Sequence, residues 1–190
     1  MVNKKNMFRF YALKLCGLMV VIFLVQLFLK GFTEYFLLDS NKITEVWRFI
    51  TSIFLHGGFA HLLYNIFALA LFGSMLERFL GGKRFLIIFF VSGILANLVS
   101  VNFYNSSLGA SGAIFGVIGA LIFIKPLMFI WAFGFPMPLF VAGIIWAVGD
   151  IMGFFGFSTT DNVANLAHLS GMFFGLILGF AYKKKVRKLI

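Results

Sequence analysis

The chain has 190 residues, of which 62% are hydrophobic and 12% are charged, with 28 phenylalanines and a formal net charge of +10. Soluble domains are about 45–50% apolar and about 25% charged. This composition excludes a soluble globular domain and indicates an integral membrane protein.

Charge-free apolar runs predict six transmembrane helices in a single domain over residues 1–190. A bilayer core about 30 Å thick needs roughly 20 apolar residues per helical crossing, so six crossings use about 120 residues and leave short loops. The predicted helices are Phe10–Leu29, Ala60–Leu76, Phe85–Phe103, Ser111–Ile124, Pro138–Phe155 and Val163–Tyr182. The second and fourth are short. The first is interpreted as a retained helix rather than a signal peptide, because no small-x-small cleavage site follows it.

Basic residues predict the orientation of this all-α bundle. With six crossings, one side of the membrane receives Lys4, Lys5, Arg9, Lys14, Arg78, Lys83, Arg84, Lys125, Lys183, Lys184, Lys185, Arg187 and Lys188. The positive-inside rule makes that side cytoplasmic, so both termini are expected there. The net charge is therefore a topology signal with some attraction to anionic lipid. No aromatic interleaving or reading motif points to nucleic acid.

Motifs for several other chemistries are absent from the sequence. Cys16 is the single cysteine, so no disulfide forms within one chain. There is no Gly-rich phosphate loop, no dinucleotide fingerprint and no HExxH zinc motif. We therefore expect neither a metal nor a cofactor.

Polar residues from distant parts of the sequence are expected to share one outer layer. The fourth helix begins at Ser111 and runs inward, and the sixth reaches His168 about 8 Å below its outer end. His56, His61 and Asn65 lie at the outer start of the second helix. Each has a structural alternative, since a lone serine commonly bonds a carbonyl one turn back. An ionisable group such as His168 inside a membrane helix is costly, however. Its location at the same depth as Ser111 favours a catalytic pair.

Glycines predict where two of the helices meet. Gly112 and Gly116 on the fourth helix, and Gly171, Gly175 and Gly179 on the sixth, repeat at a spacing of four. Small residues at this spacing allow close backbone contact. Their occurrence on two helices favours an internal seam, with pairing of two chains as the alternative.

The sequence resembles the rhomboid intramembrane serine proteases over nearly its whole length. The resemblance rests on Trp47-Arg48, HGGFAHLLYN (His56 to Asn65), Gly73, Glu77-Arg78, GASG (Gly109 to Gly112) and AHLSGMFFG (Ala167 to Gly175). GxSG alone is a weak signal, but these motifs occur together and in the family's order. The resemblance implies a six-helix rhomboid-like bundle whose members cleave membrane-spanning substrates near their outer ends.

Site roles follow from the resemblance residue by residue. It implies that Ser111 is the nucleophile and His168 its general base, a dyad without a carboxylate partner. His61 and Asn65 would line the oxyanion hole with the Ser111 backbone N–H. The remaining residues that it carries over as supporting or structural are His56, Gly109, Phe115, Trp47, Arg48, Glu77, Arg78, Gly171 and Gly175.

Two positions depart from the expected pattern. Phe115 lies one turn after Ser111, where some members of the family have tyrosine, and its ring is expected to pack under the His168 imidazole. Asp150, near the outer end of the fifth helix, is expected to cap that helix or face solvent rather than orient His168. The outer end of this helix and its loop, residues 154–160, are expected to form a substrate gate.

Two other functions remain as alternatives. A non-catalytic rhomboid-like protein could bind or escort membrane segments, but it would not need a serine, a base and oxyanion donors together. A small transporter or proton channel could use the histidines as a relay, but no mid-membrane acid or second repeat is evident. The expected partners are transmembrane protein substrates and the lipid bilayer. The expected location is a prokaryotic plasma membrane.

Overall fold

The computed structural model describes residues 9–157 and 164–186, with the side chains of residues 184–186 excepted. In chain order its elements are α1 (Tyr11–Phe28), α2 (Phe32–Phe36), β1 (Leu38–Asp39), α3 (Arg48–Thr51), α4 (Phe59–Ala68), a π turn (Leu69–Gly73), α5 (Ser74–Leu80), α6 (Gly82–Ser100), β2 (Ser106–Ser107), α7 (Ser111–Ile124), β3 (Phe129–Ala132), β4 (Phe135–Pro138), α8 (Leu139–Phe154) and α9 (Asn165–Val186). Short 3₁₀ turns cover Ser40–Lys42 and Ser52–Phe54. The fold is therefore a helical bundle with two small β ladders.

Apolar helices of two lengths make up the bundle. Four segments in the described ranges are long and apolar enough to cross a membrane, namely Tyr11–Phe28, Phe59–Leu80, Gly82–Ser100 and Asn165–Lys183. Two apolar helices, α7 and α8, are shorter. Such a set of apolar helices is that of a membrane protein.

The second long helix extends beyond the predicted segment Ala60–Leu76, so the expectation that it is short is wrong. It continues to Leu80 because Glu77 is fully buried instead of ending the apolar run. The Glu77 carboxylate accepts hydrogen bonds from the backbone N–H groups of Arg9, at 2.8 Å, and Ala12, at 3.2 Å. These N–H groups lie at the start of α1, where a helix has no internal acceptors for them.

Smaller differences affect two other helix ends. The third long helix begins at Gly82 and ends at Ser100, whereas Phe85–Phe103 is predicted. Gly81, with φ at 84°, precedes it and makes the sharp turn from α5. The predicted start of the sixth helix, Val163, lies outside the described residues.

The short helix α7 lies at the centre of the bundle. Ten of its 14 residues are buried, and it contacts α6, α8, α9 and the π turn. An apolar helix without a polar face is typical of a position inside a protein. The position of Ser111, the first residue of α7, is thereby fixed by the surrounding helices.

A glycine seam joins α7 to α9, as the glycine spacing predicts. A Cβ atom at Gly171 would collide with the carbonyl oxygen of Gly112, and one at Gly175 would collide with that of Gly116. Further along, a Cβ at Gly179 would lie 2.9 Å from the Ala120 Cα. The two helices are thus in backbone contact over three successive turns.

The segment before α7 is anchored to the short helical turn Ser52–Phe54 and, through it, to α6. The Gly109 N–H donates to the Ser52 carbonyl at 2.9 Å. The Asn97 side-chain amide on α6 donates to the Ser52 hydroxyl at 3.0 Å and to the Phe49 carbonyl at 2.9 Å. These contacts fix the approach of the chain to Ser111.

The opposite end of the bundle carries basic side chains on aromatic rings. The Lys183 ammonium donates to the Phe123 carbonyl at 3.1 Å, at the last turn of α7. The Arg84 guanidinium lies 5.7 Å from the centre of the Tyr182 ring. Since Ser111 begins α7 and Phe123 nearly ends it, the basic end and the serine lie on opposite sides of the bundle.

Replacement of Gly175 by alanine is expected to destabilise the protein. The added Cβ would overlap the Gly116 carbonyl, so α7 and α9 would have to separate, and overpacking of this kind costs about 1–3 kcal/mol. Thermal unfolding in detergent should show a lower Tm, by roughly 2–4 °C for each kcal/mol lost. Gly17→Ala is the control, because a Cβ there meets no atom within 4 Å. Equal Tm values for the two variants would contradict the seam.

Replacement of Glu77 by alanine is expected to destabilise the start of α1. Two backbone N–H groups would lose their acceptor, and an unsatisfied buried donor costs about 1–3 kcal/mol. Glu77→Gln keeps one carbonyl oxygen as an acceptor and should lose less. Chemical unfolding of both variants in micelles measures the difference. If the alanine variant were as stable as the wild type, the capping role of Glu77 would be wrong.

Candidate active site

A cavity of about 1530 Å³ brings the predicted catalytic residues together. Its lining includes Ser111 from α7, His168 from α9, and His61 and Asn65 from α4. These residues come from three helices that are distant in sequence. The four residues that helix depth predicts to share a polar layer therefore line one cavity.

Ser111 is the first residue of α7 and is partly exposed to the cavity. Gly109 precedes it at φ 120°, a conformation that L side chains rarely adopt. A Cβ at Gly109 would also lie 2.8 Å from His61 Nε2. Glycine is thus required at this position both for the turn and for the approach of the histidine ring.

The Ser111 hydroxyl and the His168 imidazole face the same cavity without a direct bond. No hydrogen bond between them occurs among residues 9–157 and 164–186. Hydrogen bonds between catalytic groups are often long in the resting enzyme and shorten in the reacting complex. The structure therefore brings Ser111 and His168 to one cavity without a hydrogen bond between their side chains.

Phe115 fixes the plane of the His168 ring. The two rings are parallel within 3°, and their centres are 4.4 Å apart. Phe115 lies one helical turn below Ser111, so the stack aligns the imidazole with the serine on the neighbouring helix. The expected packing of Phe115 against the imidazole is present, and it involves only the phenyl ring because phenylalanine has no hydroxyl group.

The expectation that Asp150 caps its helix or faces solvent is wrong. Asp150 is 8% exposed, and its Oδ1 lies 2.9 Å from Nδ1 of His168. The helical phase of α8 turns the carboxyl group toward α9 rather than outward. Its isolation in an apolar helix was the available sequence signal, because a charge there is by default functional.

His61 and Asn65 provide hydrogen-bond donors at the cavity wall. The Gly57 N–H donates to His61 Nδ1 at 3.4 Å, so a neutral His61 carries its proton on Nε2. The Asn65 side-chain amide donates one hydrogen to the His61 carbonyl at 2.8 Å. An amide has two hydrogens, and the second stays available.

His56 lies behind His61 rather than at the cavity. It is 2% exposed, and its ring centre is 5.1 Å from that of His61. Its Nδ1 bonds the Phe54 carbonyl at 3.2 Å, and its backbone N–H and carbonyl both bond the Gln26 side chain. Burial, and then the neighbouring His61, lower the pKa of His56 to about 4, so it is neutral at physiological pH. It supports the His61 ring and does not titrate near neutrality.

Trp47 and Arg48 stabilise the loop between α1 and α4, away from the cavity. Arg48 is 1% exposed and donates to the Glu45 carboxylate at 2.6 Å and to the Glu34 and Leu37 carbonyls at 2.9 and 2.7 Å. Trp47 remains 42% exposed at the surface of this loop. The loop is thus held by one buried guanidinium.

The remaining predicted residues lie outside the cavity lining. Glu77 and exposed Arg78 belong to α5, at the far end of the helix that begins near His61. Gly171 and Gly175 belong to the seam between α7 and α9. These residues therefore have structural positions.

Sequence reasoning does not identify the aromatic residues Trp146 and Tyr104, which also line the cavity. The Trp146 ring on α8 lies 6.5 Å from the Phe115 ring and 6.0 Å from the Phe72 ring, so it forms the wall below the stacked imidazole. The Tyr104 hydroxyl accepts a hydrogen bond from the Leu166 N–H at 3.2 Å. One aromatic residue in an apolar helix or loop carries no sequence signal for such a position.

Comparison with known proteins identifies the family. The Rhomboid domain model matches residues 43–185. The chain is 40% identical over 136 residues to rhomboid protease GluP of Bacillus subtilis, covering 68% of this chain and 25% of GluP. It is 31% identical over 187 residues to rhomboid protease GlpG of Haemophilus influenzae, covering 93% of this chain and 92% of GlpG. It also covers 42% of RHOMBOID-like protein 7 of Arabidopsis thaliana, so some relatives are much longer. The chain belongs to the rhomboid family.

Proposed function

We propose that this chain is an intramembrane serine protease that cleaves transmembrane segments of membrane proteins near their outer ends. Ser111 acts as nucleophile and His168 as general base. The observation that carries the proposal is the cavity lined by both residues together with His61 and Asn65. Relatives named rhomboid proteases support it.

The two nitrogens of His168 have different surroundings. Nδ1 faces the Asp150 carboxyl at 2.9 Å, which leaves Nε2 for proton transfer. In acylation the Ser111 oxygen attacks the substrate carbonyl while Nε2 accepts the hydroxyl proton. The imidazolium then gives that proton to the leaving amine as the C–N bond breaks. Water repeats the sequence on the acyl-enzyme and releases the second product.

Donors for the tetrahedral oxyanion come from two helices. Ser111 begins α7, so its backbone N–H has no acceptor within the helix. The Nε2–H of His61 and the second amide hydrogen of Asn65 are the other candidates. Donors held in place before the reaction stabilise the developing charge without reorganisation.

The short length of α7 suits a hydrolase inside a membrane. Its 14 residues span about 21 Å, less than the roughly 30 Å of a bilayer core. Since longer helices surround it, Ser111 would lie below the membrane surface, and the cavity above it would admit the water that hydrolysis needs.

We further propose the membrane orientation and the path of the substrate. Six crossings with the basic end of the bundle on the cytoplasmic side would put both termini inside the cell and the cavity outside. Location in a prokaryotic plasma membrane stays a prediction. So does the gate at residues 154–160, of which Ser158, Thr159 and Thr160 lie outside the described residues.

Labelling with a fluorophosphonate probe tests the proposal without knowledge of the substrate. Wild-type protein in detergent should be labelled, and Ser111→Ala and His168→Ala should lose the label, because the probe needs an activated serine. Ser92→Ala is the matched control, since the buried Ser92 hydroxyl has no hydrogen-bond partner in the described part of the chain. A folded wild type without label would refute the proposal and favour a non-catalytic protein that binds membrane segments.

Asn65→Ala tests the oxyanion donors. Loss of one donor in a comparable site lowers kcat by about 10²- to 10³-fold, whereas KM should change little. The assay measures cleavage of a model transmembrane segment that the wild type cuts. Asn102→Ala is the control because the Asn102 side chain makes the same bond to the carbonyl four residues back, at 2.8 Å, but is exposed. Equal kcat values in the two variants would exclude Asn65 from the oxyanion hole.

A further inference from the structure

We infer that Asp150 is a positioning residue for His168, so that the site works as Ser111, His168 and Asp150 together. The inference rests on the proposed protease function and deepens it. It replaces the pair implied by the family resemblance with a three-residue arrangement in which a carboxylate orients the base.

The contact is short and enclosed. Asp150 Oδ1 and His168 Nδ1 are 2.9 Å apart, and both side chains are largely buried. Asp150 is supplied by α8 and His168 by α9, so the pair also joins two helices. A hydrogen bond from Nδ1–H to the carboxylate holds the neutral imidazole in the tautomer whose lone pair is on Nε2.

Asp150 and Phe115 restrain the imidazole in complementary ways. The stacked Phe115 ring, 4.4 Å away, sets the plane in which the imidazole lies. The hydrogen bond to Asp150 sets its rotation within that plane. Together they determine the direction of Nε2, the atom that must meet the serine hydroxyl.

A purely structural explanation of Asp150 fits the burial less well. Its Oδ2 is buried and has no hydrogen-bond partner among the described residues. Buried polar atoms are nearly always satisfied, and exceptions need an explanation. If Asp150 served only packing, an apolar residue could replace it at little cost in stability. If Asp150 balances a transient positive charge on His168, an apolar residue cannot take its place.

The elements around His168 contribute different polar groups. Asp150 on α8 is the acidic group, His61 on α4 is a second imidazole, and Tyr104 precedes α7 with its hydroxyl near the start of α9. Ser111 on α7 lines the same cavity. Asp150 is therefore the negative charge at this base in the described part of the chain.

The proton that leaves Ser111 passes to His168 and then to the leaving amine, and Asp150 does not accept it. When the Ser111 oxygen bonds the substrate carbonyl, its proton moves to Nε2 and the imidazole becomes an imidazolium. Asp150 keeps its charge, stabilises this cation and takes no proton. The same proton leaves Nε2 for the amine nitrogen as the peptide C–N bond breaks.

Asp150→Asn tests the inference in the full chain. The side chain keeps its shape but loses its charge, so kcat on a cleaved model segment should fall at least tenfold, with about 10⁴-fold as the upper end known for a soluble triad. KM should change little, because Asp150 contacts the base and not the substrate. In ¹⁵N-histidine NMR, less of the neutral His168 should carry its proton on Nδ1, because an amide at position 150 can donate to that nitrogen. Asp150→Glu keeps the carboxylate and should restore the Nδ1–H tautomer and part of kcat. Asp39→Asn, in the outer loop, is the control and should change none of these quantities.

The outcomes separate this inference from the protease proposal. A wild type labelled by the fluorophosphonate, together with wild-type kcat and an unchanged His168 tautomer in Asp150→Asn, would overturn the role of Asp150 and leave the protease intact. Loss of stability with an unchanged tautomer would make Asp150 structural and also overturn it. If the variant fails to fold, ¹⁵N-histidine NMR of the wild type decides. Neutral His168 should carry its proton on Nδ1, and a proton on Nε2 would refute the inference.

Discussion

The close contact of α7 with α9 is the interaction on which the rest of the structure depends. Lipid is as apolar as the helix surfaces, so helices associate in membranes through van der Waals packing and not through the exclusion of water. Gly112 and Gly171 lie next to the serine and one turn below the histidine, respectively. The packing that holds the bundle together therefore also sets the spacing between Ser111 and His168, and one added methyl group would change both.

Much of the site could be predicted from local pattern, and the failures have a common cause. Helical periodicity and glycine spacing place Ser111 and His168 at one depth on adjoining helices, because both patterns are properties of single segments. The predictions of a helix end before Glu77 and of a capping or solvent-facing Asp150 are wrong because the partners of these residues lie 65 and 18 residues away along the chain. Local pattern predicts that a charged residue ends an apolar run or faces solvent, whereas here the tertiary structure supplies a partner for it. The hairpin Phe129–Pro138 likewise had no alternating pattern to predict it.

Buried charges in this bundle each match a backbone or side-chain group that needs them. Glu77 is an acceptor and meets free N–H groups at the start of a helix, whereas Arg48 is a donor and meets free carbonyls in a loop. Asp150 meets an imidazole. Irregular backbone at membrane depth persists only where protein groups satisfy it. The three charges thus provide hydrogen bonds at the start of a helix, in a loop and between two helices.

The π turn Leu69–Gly73 has a consequence for the rotational phase of the helix that contains it. Asn65 and Glu77 are 12 positions apart, which in a regular α-helix places them about 120° apart around the axis. A π turn accommodates about one extra residue, so the pair is separated by 11 effective steps, or about 20°. Both side chains are buried. The extra residue thus gives the helix one continuous inner face. Asn65 lines the cavity at one end of this face, and Glu77 accepts the N–H groups at the start of α1 at the other.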